Sequence, residues 1–584
     1  MNDAYDLVIR GGTVVDGTGA PAYEADVAVK DGVIVSVGSV RGQGVEELDA
    51  RGHLVTPGFV DIHTHYDGQA TWDDRMQPSS LHGVTTVVMG NCGVGFAPCR
   101  PDDHERLVRL MEGVEDIPFP VLWEGLPWTW ESFPDYLATL ERRAFDVDLG
   151  TQLPHAALRV YVMGERGANR EPATEADIAA MSALAEAAVR AGALGFSTSR
   201  TLNHRTSDGQ PTPTLLAGED ELLGIARGLG RAGAGVLQFV SDFAEPDAEF
   251  DMLRRLVELS GRPLSFTLAQ HARAPGQWQR LLGRLSDAVS RGLPMKAQVC
   301  GRPVGILLGF ELTVNPFTRH PSYVAIADLP LSDRVGRLRD PAFRARLLAE
   351  ATTARKGIVA QLAQNWGSVF LMGDEPDYEQ PPEASVLALA RARAVSPEEV
   401  ALDHLLSNGG RGMLYLPFLN YADGSLDACY AMLTHDDTVL GLSDGGAHVG
   451  MICDGSLPTS QITHWTRERT RGPKLPLERI VRMQTRATAE AVGLLDRGLI
   501  LPLHRADLNV VDYDRLALLS PEVAYDLPAH GRRLVQRARG YAATVVAGQV
   551  TYREGEPTGR LPGRLLRGAK AAPSPSSQRK ETQA

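Results

Sequence analysis

Lysine is scarce in this chain. Of 584 residues, only Lys30, Lys296, Lys356, Lys474, Lys570 and Lys580 are lysines. Cysteine is scarce too. Cys92, Cys99, Cys300, Cys429 and Cys453 are few and odd in number, which fits a reducing compartment better than a disulfide framework, so the expected location is cytoplasmic. No run of about 18 apolar residues occurs, so no membrane span is expected. An excess of positive charge is also missing. The formal net charge is -13, which argues against a nucleic-acid partner. The negative charge is spread out with no acidic block and reads as ordinary solubility. The N-terminal Met-Asn-Asp-Ala-Tyr-Asp lacks the basic and apolar segments of an export signal. What remains is a chain long enough to bury a large core in more than one domain. Its expected partner is a small molecule, and a homo-oligomer is left open.

Against that background one stretch stands out, Thr56-Pro-Gly-Phe-Val-Asp-Ile-His-Thr-His65. A hydrophobic run from Phe59 to Ile62 ends in two histidines spaced one apart. Residues i and i+2 of a strand share a face, so His63 and His65 point the same way from the end of a buried strand. Paired neutral imidazoles suit a zinc-type cation. The Pro-Gly turn before the strand and the flanking Asp61 and Asp67 set this pair apart from an incidental H-x-H.

Residues 5–55 read as short strands, with Asp31-Gly32 as a hairpin turn between alternating runs. Similar strands return in Ala506-Asp-Leu-Asn-Val-Val-Asp and Ala542-Ala-Thr-Val-Val-Ala-Gly-Gln-Val-Thr. Between them, apolar strands beginning near Gly58, Thr85, Leu149, Ala193, Gly235, Pro263, Pro294 and Val439 alternate with helical stretches. Eight such strands are the number of a closed barrel. The expected fold is α/β, a (β/α)8 TIM-like barrel with a small β-sandwich domain formed by both termini and a long insertion between strands seven and eight. The expected boundaries are 1–56 with 500–565 for the β-domain and 57–301 with 431–499 for the barrel. Residues 302–430 form a mainly helical insertion over the mouth, and 566–584 a disordered tail.

Active sites of such barrels lie at the C-terminal strand ends. His63 and His65 end the first strand, Cys92 the second in Met89-Gly-Asn-Cys-Gly, and Asp444 the eighth in Leu442-Ser-Asp-Gly-Gly. A thiolate at Cys92 reaches the same metal. A carboxylate at Asp444 touches the metal and moves a proton from its water to a leaving group. Alternatively Cys92 is a buried inert thiol and Asp444 a turn residue.

These motifs resemble the amidohydrolase superfamily, in its N-acyl-D-amino-acid deacylase (D-aminoacylase) branch. The resemblance covers nearly the whole chain. It includes Tyr5-Asp-Leu-Val-Ile-Arg-Gly-Gly-Thr-Val-Val-Asp-Gly-Thr-Gly, Pro57-Gly-Phe-Val-Asp-Ile-His-Thr-His-Tyr-Asp and Gly83-Val-Thr-Thr-Val-Val-Met-Gly-Asn-Cys-Gly. It continues through His155-Ala-Ala-Leu-Arg-Val-Tyr-Val-Met-Gly, Gly192-Ala-Leu-Gly-Phe-Ser-Thr, residues 485–493, Arg505-Ala-Asp-Leu-Asn-Val-Val-Asp and Gly559-Arg-Leu-Pro-Gly-Arg-Leu. The resemblance implies one or two zinc ions. Many relatives bridge two metals with a carboxylated lysine on strand four, where this chain has none. In the deacylase branch the bridge is a strand-two cysteine, matched by Cys92.

The departures narrow the expectation. The branch takes one histidine each from strands five and six. Here strand five offers Gln238 and Phe239, and strand six offers Leu268, with His271 three residues later. One zinc ion is therefore expected rather than two, held by His63, His65, Cys92 and Asp444, and either His271 or His448 is open as a replacement ligand. The branch's substrate-carboxylate anchors, a lysine after strand six and a Tyr-Pro-Tyr turn after strand seven, are replaced by Gln270 and Cys300-Gly-Arg-Pro. His155, Arg200, His204, Arg302 and His448 are the expected substrate contacts at the mouth. The expected activity is metal-dependent hydrolysis of a small-molecule amide with altered specificity. The alternatives are a lactone, a cyclic amide or a lyase-type reaction on the same scaffold, or a non-catalytic ligand-binding relative.

Overall fold

The computed structural model describes residues 5–350, 352–353 and 365–574. Its centre is a curled sheet of eight parallel strands that neighbour one another in chain order. The strands are Phe59–Asp61, Val84–Met89, Asp148–Pro154, Gly195–Arg200, Val236–Ser241, Leu264–Leu268, Met295–Val299 and Thr438–Leu440. Every residue of the second and third strands is buried. Burial on both faces explains why they read as continuous runs rather than as alternation. The two edges approach each other just past their strands. Thr64 and Gly445 form a parallel bridge, and the His65 N–H donates to the Gly445 carbonyl at 2.8 Å.

Helices return the chain between the strands, Glu175–Ala191, Glu219–Ala232, Pro246–Ser260 and Gln277–Ser290 among them. The first shows why such segments are helical. Thr174 and Asp177 cap its start reciprocally, and Met181, Ala185, Ala188 and Val189 form the buried stripe. Gly192, at φ +119°, ends it.

A second, nine-stranded sheet draws strands from both ends of the chain, from Tyr5–Val14 to Leu54–Pro57 and from Leu508–Val511 to Glu556–Pro557. Leu54–Pro57 pairs antiparallel with Leu508–Val511, and the Gly58 N–H donates to the Asp507 carbonyl at 2.8 Å. The chain then passes directly into the first parallel strand. Only glycine fits at that crossing, because a Cβ on Gly58 would lie 2.2 Å from Thr85 Oγ1. Hence Pro57-Gly58 precedes the histidines.

Between the seventh and eighth parallel strands lies a region with its own core of Leu308, Phe317, Val369, Leu405 and Leu414. It was expected to be mainly helical. It carries helices such as Leu331–Arg339 and Pro397–Leu405, and also a three-stranded antiparallel sheet of Val304–Leu308, Met413–Leu419 and Phe370–Met372. Residues 351 and 354–364 of this region lie outside the described residues. The expected disordered tail needs correction at its start. Leu566 is buried and its N–H donates to the Leu149 carbonyl, and the Lys570 N–H donates to the Gly493 carbonyl. Residues 575–584 of that tail lie outside the described residues. Among the described residues no helix is long and apolar enough to cross a membrane.

Candidate metal centre

The first parallel strand delivers His63 and His65 into the interior, both essentially without solvent exposure. Their Nε2 atoms lie 3.4 and 3.6 Å from one oxygen, Asp444 Oδ1. Cys92 Sγ is 3.2 Å from His63 Nε2. The ligand atoms of His63, His65 and Cys92 all lie within 4.8 Å of one another.

Local backbone geometry produces this meeting. Gly90, at φ +78°, turns the chain where a Cβ would lie 2.3 Å from the Gln152 carbonyl oxygen. Asn91 ties the turn to the first strand by donating from Nδ2 to the Thr64 and Val88 carbonyls at 3.2 and 2.8 Å. Cys92 follows at φ +54°. Across the sheet, Ser443 donates to Asp61 Oδ2 at 2.5 Å and the Asp444 N–H donates to the His63 carbonyl at 3.1 Å. Asp444 therefore presents its carboxylate to both imidazoles.

Two glutamines brace the cluster. Gln298 Oε1, on the seventh strand, lies 2.7 Å from His63 Nδ1 and fixes which nitrogen faces inward. Gln238 Oε1, on the fifth, accepts from the Cys92 N–H at 3.2 Å. Leu268, at the end of the sixth strand, is packed in the apolar core. His271 is not part of the cluster; its backbone bridges to Ala274 and Leu419.

The charges around the cluster are mostly negative. Burial raises Asp444, yet the hydrogen bond from His65 and the nearness of His63 hold it well below the usual carboxylate range. Burial, then Asp444 and Asp67, pushes Glu115 well above its ordinary value. Burial lifts Asp67 to about 7 and raises the Cys92 thiol strongly. Burial also pushes His65 down to about 4 against the pull of Asp444. Among the described residues, no lysine or arginine pairs with Asp444, Glu115 or Asp67. Two imidazoles, a thiol and a carboxylate converging in a site short of positive charge are the donor set of a zinc-type cation, and the residues present fit one.

The other expected site residues are placed differently from one another. His448, at φ +50°, reaches the edge of the cluster, with Nε2 3.6 Å from Glu115 Oε2. His204 hydrogen-bonds Ser199 through Nδ1 at 2.9 Å. Desolvation, then the nearby His448 and His65, pushes its imidazole down to about 3. Arg200 donates to the Ala217 carbonyl at 3.1 Å. Arg302 is buried against Asp454 at 2.6 Å with its guanidinium 4.0 Å above the Tyr378 ring, leaving Nε and Nη1 without partners. His155 is fully buried, and both nitrogens are occupied, Nδ1 by Thr198 and Nε2 by Glu221, each at 2.8 Å. Glu221 also pairs with Arg159, so His155 belongs to a separate cluster.

Sequence reasoning missed Glu115 and Gln298. Glu115 carried a signal. It ends helix His104–Glu115, whose buried face includes Leu107, Val108, Met111 and Val114, so it is a carboxylate on an apolar stripe. Gln298 had only its polarity within the buried run Met295–Val299.

A sequence profile of the amidohydrolase family matches residues 46–552. The D-aminoacylase of Alcaligenes xylosoxydans xylosoxydans is 26% identical over 572 residues, covering 96% of this chain and 97% of that protein. A solved D-aminoacylase, described as having a binuclear metal centre with one-metal activation and second-metal attenuation, superposes with a TM-score of 0.64. That pair shares 23% identity over 96% of this chain and all of the other. The N-acyl-D-glutamate deacylase of Bordetella bronchiseptica, solved with zinc and a phosphonate inhibitor, gives 0.64 at 21% identity over 97% of this chain and all of that one. The chain belongs to the amidohydrolase family and is a hydrolase of carbon–nitrogen bonds other than peptide bonds.

Proposed function

We propose that the protein hydrolyses the amide bond of a small molecule, in the manner of an N-acyl-D-amino-acid deacylase, with one zinc ion and a changed substrate preference. The observation that carries this reading is the convergence of His63, His65, Cys92 and Asp444, set beside Gln238 and Leu268 where the deacylase branch has histidines. The structurally similar D-aminoacylase, described as activated by one metal, supports a one-ion centre. The same reading takes the curled sheet as a (β/α)8 barrel of 57–301 and 431–499, and the terminal sheet as a small β-sandwich domain of 1–56 and 500–565.

The ion would be held by His63, His65, Cys92 and Asp444. When bound, a divalent cation polarises an amide carbonyl and makes water nucleophilic near neutral pH. Asp444, kept ionised by the two imidazoles, accepts the proton of the attacking water at a carboxylate oxygen. It then returns that proton to the leaving nitrogen as the C–N bond breaks, giving a carboxylic acid and an amine. Gln298 and Gln238 keep His63 and Cys92 in place meanwhile. His204 and His448 lie beside this set and would contact the substrate.

A second reading keeps the scaffold and changes the substrate to a lactone or cyclic amide. It is favoured by the replacement of the branch's substrate-carboxylate anchors by Gln270 and Cys300-Gly-Arg-Pro. Metal analysis combined with turnover on N-acyl D- and L-amino acids, hydantoins and lactones separates the readings. One equivalent of zinc and chelator-sensitive deacylation support the first. Full activity in metal-free protein sinks both.

A further inference from the structure

Glu115 is a costly place for a carboxylate. It ends a helix, where the backbone carbonyls already gather negative charge. It is 1% exposed, and its charged neighbours include Asp444 and Asp67. Among the described residues no arginine or lysine pairs with it. Its contacts are two imidazoles: Oε1 lies 3.2 Å from His65 Nδ1, and Oε2 lies 3.6 Å from His448 Nε2. Both His65 Nδ1 and Glu115 Oε1 are buried and neither makes a hydrogen bond, their own 3.2 Å approach included.

The backbone around Glu115 is anchored from three sides. The His448 N–H donates to the Glu115 carbonyl. The next residue, Asp116, sits at φ +51° and accepts from Thr313 Oγ1 at 2.9 Å and from the Gly450 N–H at 3.2 Å. The helix end is thus joined to the loop after the eighth strand and to the insertion.

We propose that Glu115 is a positioning residue for the metal centre. Its Oε1 lies within reach of the Nδ1–H of His65, and a small turn of the ring closes that approach into a hydrogen bond that leaves the Nε2 lone pair directed to where His63 Nε2, Cys92 Sγ and Asp444 Oδ1 meet, while its second oxygen faces His448 beside the same ligand. The inference rests on the one-ion reading above and adds the group that orients one of its ligands. The two histidines then differ in their outer partners. His63 has the neutral amide of Gln298, whereas His65 has a carboxylate, which makes the ring a stronger donor.

The test is Zn2+ affinity, measured by competition with a chromophoric chelator, for the full-length protein and its Glu115→Gln and Glu115→Ala variants. The unfolding midpoint of each metal-free protein is recorded alongside. Glu115→Ala is expected to weaken Zn2+ binding about 10- to 100-fold. Glu115→Gln is expected to fall between, because its amide oxygen still accepts from Nδ1 without the charge. The metal-free midpoint of Glu115→Gln is expected to stay near that of the wild type, since the amide matches the carboxyl in size and opens no cavity. A merely structural role predicts the opposite, lower metal-free stability with unchanged affinity. Glu115→Gln carries the test alone if Glu115→Ala does not fold. Wild-type affinity in both variants, or a loss that only tracks metal-free stability, overturns the inference and leaves the one-ion reading standing. Failure of the wild type itself to take up Zn2+ overturns both.

Discussion

At the N-terminal end of the parallel strands, buried Asp148 is met by two guanidiniums. Arg497 Nη1 donates to its Oδ2 at 2.7 Å and to Thr86 Oγ1 at 2.9 Å, and Arg505 Nη2 donates to its Oδ1 at 2.9 Å. Asp496 completes the shell of Arg497 at 2.9 Å. At the C-terminal end, Glu115 and Asp67 are equally enclosed and Asp444 is partly so, yet their polar partners are imidazoles and backbone amides. A buried charge without a partner costs several kcal/mol, so one end is built to hold the fold, and the one-ion proposal assigns the other to a cation. On that proposal, position along the strand and not degree of burial separates a structural charge cluster from a functional one.

That contrast can be broken in order of expected effect. Asp444→Asn should lower kcat/KM about 10^2- to 10^4-fold with the unfolding midpoint little changed, as read by turnover and denaturant titration. Near-normal turnover would remove Asp444 from proton transfer. Arg497→Leu should do the reverse. Leaving Asp148 buried beside a lost partner should cost about 3–5 kcal/mol in urea unfolding, with little change in kcat/KM for the fraction that remains folded.

Asp146 sharpens the comparison, because it is a structural acid with no cation. It accepts from the Met76 N–H at 2.9 Å and from Tyr552 Oη at 2.7 Å, and burial lifts its pKa to about 6. A carboxyl raised above its unfolded value of 3.8 destabilises the fold once ionised. This penalty is absent below the unfolded value and grows as pH rises toward 6. The shift is worth about 3 kcal/mol, on the scale of 1.36 kcal/mol per pKa unit. Wild type should therefore lose more stability than Asp146→Asn between pH 4 and pH 7 when both are unfolded in urea. Parallel curves would show that Asp146 contributes nothing to the pH dependence. Thr174→Ala, which removes a helix cap, provides a baseline. It should cost about 1 kcal/mol and leave turnover and Zn2+ affinity unchanged.

The eight parallel strands were legible because a strand buried on both faces is a short apolar run, and Gly or Pro marks where most of these begin. The hairpin at Asp31-Gly32 was legible for the same local reason, and the structure pairs Tyr23–Lys30 with Val33–Gly38 across it. The three-stranded sheet of the insertion was not, since Val304–Leu308 finds its partner about a hundred residues later in Met413–Leu419. Periodicity gives no sign of such a pairing. The polar composition after residue 566 hid the fact that Leu566 packs beneath the parallel sheet. His155 has the residue type of a site histidine, but its surroundings, Glu221 and Thr198, come from other segments and could not be read beside it.

Residue types and spacing alone determined the two histidines on one strand face, a cysteine after the second strand and an aspartate after the eighth, whereas only the family resemblance gave meaning to the lack of histidines on strands five and six. Those placements depend on local periodicity, which a strand imposes on its own residues. Tertiary structure decided which side chains surround that set. Gln298 lies 235 positions from His63 in sequence, and Glu115 reaches His65 only because a helix ends against the mouth. Contacts of that kind are created when the sheet curls and its edges meet at Thr64 and Gly445, and no local pattern encodes them.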